Sequence, residues 1–250
     1  MTDVFAQAQY QVRFDWGIQG AAAVSADADV IVVVDVLSFT TTVDLATNLG
    51  LEVLPCAPES ARELADRHGA VLAGERGLGL SLSPSSISAE SVAGLERVAV
   101  ASPNGSRISA ALAGQRALVV AGSLRNPAAI ARWAVAQQGD KGDRFIVAVI
   151  AAGETRQDET LRFALEDLLG AGAIIDALAD VGIDYCSPEA AAAAAAFTGL
   201  RNATGHLIGA SSSGRELVER GFRSDVDIAI ELNASETVPV LREFVFRAER

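Results

Sequence analysis

Lysine is nearly missing from this 250-residue sequence: Lys141 is its one example, in the Gly139-Asp-Lys-Gly-Asp turn between two expected elements. Arginine must therefore carry almost all positive charge, and its planar fork suits bidentate binding of phosphate, carboxylate or sulfonate. Histidine is scarce too, with His68 and His206 alone, which argues against a histidine-rich transition-metal centre. The two cysteines, Cys56 and Cys186, lie far apart without a Cys-x-x-Cys spacing. Neither a disulfide framework nor a zinc ribbon is indicated, and buried free thiols are expected. A net charge of −12 disfavours nucleic acid as a partner but admits small anions. No run reaches the roughly 18 uninterrupted apolar residues of a spanning helix. The opening MTDVFAQAQYQVRFDW lacks the basic-then-apolar order of a signal peptide. A cytoplasmic protein without a membrane partner is expected.

With 50% hydrophobic residues, the chain can bury one large core. A single α/β domain over residues 1–250 is expected, or two packed lobes with a boundary near 138–143. Gln9 to Trp16 alternates polar and apolar residues, the pattern of a half-buried antiparallel strand. Val30-Ile-Val-Val-Val-Asp35 is instead a continuous β-branched run, as in a strand covered on both faces. Apolar runs recur at Leu51–Leu54, Ala70–Ala73, Val98–Ala101, Ala117–Ala121 and Phe145–Ala151, separated by helix-compatible segments. The alternation predicts a three-layer fold: a largely parallel sheet with helices on both faces, plus the antiparallel N-terminal strand. Later segments predict a helix from about Glu159 to Leu178 and another from Pro188, capped by Ser187. The seven alanines from Ala190 to Ala196 fit that helix lying close against another element. Ser211 to Gly221 predicts a last helix stopped by Gly221, and Val226 to Leu232 a last strand.

Open α/β sheets bind ligands beyond the carboxyl ends of their strands. Here those positions share a polar character. Asp35 closes the first core strand; Gly74-Glu75-Arg76-Gly77 follows the Ala70 run; Ser102-Pro-Asn104-Gly105-Ser106, then Arg107, follows the Val98 run. Gly122-Ser123-Leu-Arg125-Asn126 follows the Ala117 run, and Gly153-Glu154-Thr155-Arg156 the Phe145 run. Polar residues and glycines belong in any strand-to-helix turn, but five such turns together describe one active-site rim. Asp35, ending an apolar run, would be costly to bury without a cation or hydrogen-bond partners. Its other role is to cap Ser38-Phe-Thr-Thr-Thr-Val, which Thr40 can do itself. Glu75-Arg76 fits either a surface ion pair or an anion site approached closely at its flanking glycines. Glu159, Arg162 and Glu166 share one stripe of the expected helix, with Asp167 about 100° further round. That stripe is either an exposed charge ladder or a face that turns one acid toward a site.

Taken in order, Val33-Val-Asp35-Val-Leu37 with Thr40-Thr-Thr42, Gly74-Glu75-Arg76, Asn104-Gly105-Ser106, Gly122-Ser123-Leu-Arg-Asn126, Ala152-Gly153-Glu154 and Leu165-Glu166-Asp167-Leu-Leu-Gly-Ala-Gly-Ala173 resemble the 2-phosphosulfolactate phosphatases. Ser213-Gly214-Arg215-Glu216-Leu217 and Gly221 extend the resemblance. It implies a magnesium-dependent phosphatase releasing phosphate from 2-phospho-3-sulfolactate, a step of coenzyme M biosynthesis, on an α/β fold distinct from the common phosphatases. Two positions depart from the family pattern: Ser38 stands where many members carry arginine, and Leu82-Ser83-Pro84 where many carry Asn-Ser-Pro. Arg125 is the candidate to compensate.

The roles follow. Asp35, with Glu166 or Asp167, would hold the magnesium ion, and Asp35 and Glu166 would act in catalysis through it. Glu154 is the general-base candidate, with a helix N-terminal acid as its blander role. Substrate binding falls to Glu75, Arg76, Asn104, Gly105, Ser106, Arg107, Ser123, Arg125 and Asn126. Ser102, Ser106 and Ser123 have no Gly-x-Ser-x-Gly setting, so hydrogen bonding to phosphate is preferred over covalent attack. No Gly-x-x-x-x-Gly-Lys-Ser/Thr loop or Gly-x-Gly-x-x-Gly turn supports nucleotide binding. Leu37, two positions after Asp35, weakens an aspartyl-phosphate mechanism. A small anionic phosphorylated substrate is the expected partner, and a homodimer is compatible with the sequence. The rival reading is a non-catalytic α/β receptor for small anions.

Overall fold

The computed structural model describes residues 3–139, 144–156, 158 and 160–249. Lys141 lies outside them, as do residues 140–143 of the lobe boundary expected near 138–143. Nine strands form one sheet: β1 (Val12–Trp16), β2 (Val30–Val34), β3 (Glu52–Cys56), β4 (Val71–Leu72), β5 (Arg97–Ala101), β6 (Leu118–Gly122), β7 (Val147–Ala151), then, after the small antiparallel pair β8 (Glu154–Thr155) and β9 (Leu161–Arg162), β10 (Val238–Arg242) and β11 (Val245–Glu249). The order across the sheet is β1-β7-β2-β6-β10-β11-β3-β5-β4. The helices are α1 (Gly17–Val24), α2 (Phe39–Asn48), α3 (Ala61–His68), α4 (Gly105–Leu112), α5 (Pro127–Gln138), α6 (Leu165–Asp180), α7 (Pro188–Leu200), α8 (Thr204–Ala210), α9 (Ser212–Glu219) and α10 (Arg223–Ala229).

The continuous apolar run of β2 has the meaning expected of it. Val30, Val32 and Val34 pack with α5, α6 and α7, while Ile31 and Val33 pack with α1, α2 and α4. All five are fully buried, so a polar residue on either face would be left without water. The sheet is largely parallel, with helices on both faces. Cys56 and Cys186 are free thiols, Cys56 buried. Among the described residues no helix is long and apolar enough to cross a membrane.

Three local expectations are corrected. The N-terminal strand is parallel to β7, in the register Val12↔Val147 to Trp16↔Ala151. Its polar and apolar alternation reflects a position at the sheet edge, not a direction; the antiparallel pairings belong to β10 and β11. The helix expected from Glu159 begins at Leu165, because Leu161–Arg162 turns back to pair with Glu154–Thr155. Arg162 therefore shares no helical stripe with Glu166, and Glu159 lies outside the described residues. The strand expected over Val226–Leu232 is instead the end of helix α10, as far as Ala229, followed by a turn; the helix buries Asp225, Val226 and Ala229 on one face. A short apolar run carries both periodicities, and here the helical one won.

The alanine-rich segment is α7, with the Ser187 hydroxyl accepting from the Ala190 N–H and Pro188 opening the helix. Ala190, Ala193 and Phe197 are its buried positions. They meet α6 at Gly172, where a β-carbon would press into the Ala193 carbonyl and Phe197. Glycine-to-alanine inside a helix ordinarily gains about 1 kcal/mol. Here the close approach reverses the sign. Gly172→Ala is expected to lose about 1–3 kcal/mol in urea denaturation, while Ala195→Glu, exposed on α7, should stay within about 0.5 kcal/mol of the parent. Equal midpoints for Gly172→Ala and the parent would remove the tight α6–α7 contact from the account.

Candidate active site

The strand ends do not all point one way. Three successive antiparallel pairings, β6 with β10, β10 with β11 and β11 with β3, make β3, β5 and β4 run opposite to β1, β7, β2 and β6. β2 and β5 are also five places apart in the sheet order, about 24 Å on a flat sheet at roughly 4.8 Å per strand. Yet the Gly105 N–H, just beyond β5, donates to Asp35 Oδ2, just beyond β2, at 2.8 Å. The sheet must curve to allow this, and the core of α1, α2 and α4 fills its hollow. Gly105 is needed there because a β-carbon would lie 2.6 Å from the Asp35 carboxylate.

A cavity of about 230 Å³ opens at this junction, lined by Asp35, Ser38, Arg76, Asn104 and Glu154 and by Ser213, Glu216 and Arg220 from α9 and its end. Asp35 is 6% exposed. Its second oxygen accepts from the Phe39 N–H at 3.3 Å, so it also caps α2. Thr40 holds the Asp35 backbone, accepting from its N–H and donating to its carbonyl. Burial pushes the Asp35 carboxyl up to about 6 against these N–H groups, and the charge of Glu166 adds to the rise. Asp167 is also raised by burial and by Asp35 and Glu166, although its two oxygens accept from the Val36 and Gly153 N–H groups at 2.8 and 2.9 Å. Glu166 is 2% exposed, and among the described residues no hydrogen bond or ion pair reaches its carboxylate. Glu154 is pushed up to about 7 by burial and by the charges of Asp35 and Glu166, with Arg162 and Asn104 opposing. Asn104 is oriented by Thr155, whose N–H and hydroxyl donate to Oδ1, leaving its amide nitrogen 3.4 Å from Glu154. Four acids thus repel one another in a buried space.

Opposite them, Arg76 pairs with Asp225 of α10 and donates to the Ser38 hydroxyl at 3.3 Å. Asp225 is fully buried and accepts from the Ser83 hydroxyl and the Ser85 N–H, so the segment that follows the departing Leu82 holds the acid that holds Arg76.

The structure therefore gathers Asp35, Arg76, Asn104, Gly105, Glu154, Glu166 and Asp167. It does not gather the rest of the expected set. Ser106 is buried in hydrogen bonds to the backbone of Cys56 and Val100. Ser123 and Asn126 close their own turn, with Asn126 Oδ1 accepting from the Ser123 N–H. Arg125 is committed to Asp44 and Glu231 and does not reach the position beside Ser38. Arg107 pairs with Glu59 and faces an adjoining cavity of about 280 Å³, while Glu75 is exposed. The turn after β6 is thus structural. Sequence reasoning missed Ser213, Glu216 and Arg220; the signal was the capped helix ending at Gly221, which was assigned no ligand.

A family model described as 2-phosphosulpholactate phosphatase matches residues 20–243. The chain is 33% identical over 224 residues to a Deinococcus radiodurans protein named "Probable 2-phosphosulfolactate phosphatase", covering 85% of this chain and 88% of that one. It is 32% identical over 216 residues to the 2-phosphosulfolactate phosphatase of Methanothermobacter thermautotrophicus, covering 85% and 86%.

Carboxyls raised in the folded state bind protons more tightly there than in the unfolded chain. Their contribution is full below the unfolded values near 4 and is lost as pH rises through about 6 for Asp35 and about 7 for Glu154. Metal-free protein is expected to lose stability between about pH 4 and 7 by a few kcal/mol, read from urea midpoints across that range. Asp35→Asn should flatten the slope. A slope of opposite sign, or one that Asp35→Asn leaves unchanged, would show that the acids are not in mutual repulsion.

Proposed function

The chain belongs to the 2-phosphosulfolactate phosphatase family, and from that premise we propose that it hydrolyses 2-phospho-3-sulfolactate, or a closely related phosphorylated hydroxyacid, with magnesium. The observation that carries the reading is Glu166, a 2% exposed residue whose carboxylate has no hydrogen-bond or ion-pair partner among the described residues, in the field of Asp35 and Asp167.

Among the described residues no three His, Cys, Asp or Glu side chains form a group that could hold a metal ion. Magnesium does not need three: it keeps several waters and takes one or two carboxylates together with substrate phosphate oxygens. The donor set fits, because these are hard oxygen ligands and Glu166 has no cation of its own. Asp35 and Glu166 would hold the ion, and Asp167, fixed by two backbone N–H groups, would keep the two turns in place. When bound, the ion polarises the phosphoryl oxygens and offsets the repulsion among the acids.

The chain's own groups supply the remainder. Arg76 offers its guanidinium to the phosphate at the cavity wall. Glu154, raised into the neutral range, takes the proton of the attacking water at its carboxylate. The water oxygen bonds to phosphorus as the ester P–O bond breaks, and the leaving substrate oxygen takes a proton from solvent water to become the free hydroxyl. Asn104 keeps the Glu154 carboxylate turned toward that space.

Asp35→Asn tests this reading, since it keeps the volume and removes the charge. Magnesium-dependent phosphate release from 2-phospho-3-sulfolactate is expected to fall roughly a thousandfold, several kcal/mol at about 1.4 kcal/mol per decade. Magnesium should raise the melting temperature of the parent but not of the variant. Parent-like turnover by Asp35→Asn at millimolar magnesium would exclude the ligand role. Binding of the ester by the parent without phosphate release would replace the phosphatase with a receptor for small anions.

A further inference from the structure

The cavity contains two arginines that differ in availability. Arg76 is 12% exposed and paired with fully buried Asp225, so its charge is matched before any ligand arrives. Arg220 follows the last turn of α9, is 57% exposed, and has Glu216, one turn back at 3.2 Å, as its ion-pair partner among the described residues. An exposed pair of that kind holds its arginine weakly. Both guanidinium groups lie over the ring of Phe222, Arg76 at 5.5 Å and Arg220 at 5.9 Å from its centroid. Phe222 packs against the core, so one fixed ring positions two cations at one cavity. The short Ser38 side chain beside Arg76 leaves this space to the pair.

The other charged residues of the lining are acids: Asp35, Glu154 and Glu216. A phosphate monoester with no other charge can be met by Arg76. An ester carrying a second anionic group would face these acids unless a second cation received it. We propose that Arg220 is a specificity-determining residue that binds one of the substrate's two further anionic groups, its carboxylate or its sulfonate, while Arg76 takes the phosphate. The assignment rests on the phosphatase reading for its chemistry, but not for the binding preference.

The test compares 2-phospho-3-sulfolactate with glycerol 2-phosphate, which has no anion beyond its phosphate. For Arg220→Ala the KM ratio between the two esters is expected to shift about ten- to a hundredfold against the sulfolactate ester, with Arg220→Lys recovering part of it. Arg215→Ala is the control: it lies on the same helix, loses the same charge, pairs with Glu219 and is not in this cavity. Its ratio should match the parent. Calorimetric binding of the same two esters without magnesium gives the ratio independently of turnover. Absence of phosphate release would thus overturn the phosphatase reading and leave Arg220 still decided. An unchanged ratio in Arg220→Ala, an equal shift in Arg215→Ala, or no preference for the sulfolactate ester in the parent would overturn the assignment.

Discussion

The hydrogen bond from the Gly105 N–H to Asp35 joins the parts of the molecule that run in opposite directions. Asp35 ends the strand at the heart of one parallel group, and Gly105 opens the helix that follows a strand of the other. A carboxylate at a helix N-terminus meets unsatisfied N–H groups and the positive end of the dipole. This contact therefore has an electrostatic reason to form, and the curvature of the sheet is its structural consequence. Without a residue lacking a β-carbon at 105, the approach fails and the cavity loses its shared wall.

Closing the sheet in this way concentrates acids. Asp35, Glu154, Glu166 and Asp167 come from a strand end, a short hairpin and the first turn of a long helix, and burial raises three of them. Folding tolerates the concentration because backbone N–H groups absorb part of it: two on Asp35 and two on Asp167. Glu166 receives none. The fold thus stabilises most of the cluster internally and leaves one acid, Glu166, without a partner among the described residues.

Much of this was legible in the residues. The five-residue run before Asp35 identified a doubly covered strand, because only a strand shielded on both faces tolerates apolar side chains at every position. Ser187-Pro188 and Gly221 marked helix ends through capping and backbone geometry, which are local. Strand direction was not local. β1 alternates as an edge strand in either direction, and Val226–Ile230 satisfies both periods until the Asp225 anchor to Ser83 decides it. The turn after β6 ends on the same edge as Asp35, since β6 is parallel to β2, but its side chains are spent elsewhere: Arg125 on Asp44 and Glu231, and Asn126 on its own turn and the Thr237 carbonyl. The helix that supplies Ser213, Glu216 and Arg220 reaches the cavity from the end of the chain, and no spacing rule connects it to residue 35.

A chain that relies on arginine for its positive charge must also decide which arginines remain free. Position in the sequence does not decide it, since Arg125 follows a strand as directly as Arg76. The acids do. Arg125 meets Asp44 and Glu231 and becomes part of the scaffold. Arg76 meets Asp225, which fixes it at the cavity wall while its remaining N–H groups face Ser38. Among the described residues Arg220 meets one acid, the solvent-exposed Glu216, a partner easily exchanged for an anion. The gradation from buried pair to exposed pair converts one residue type into a brace, an anchor and a receptor. It follows from the distribution of carboxylates, not from that of the arginines themselves.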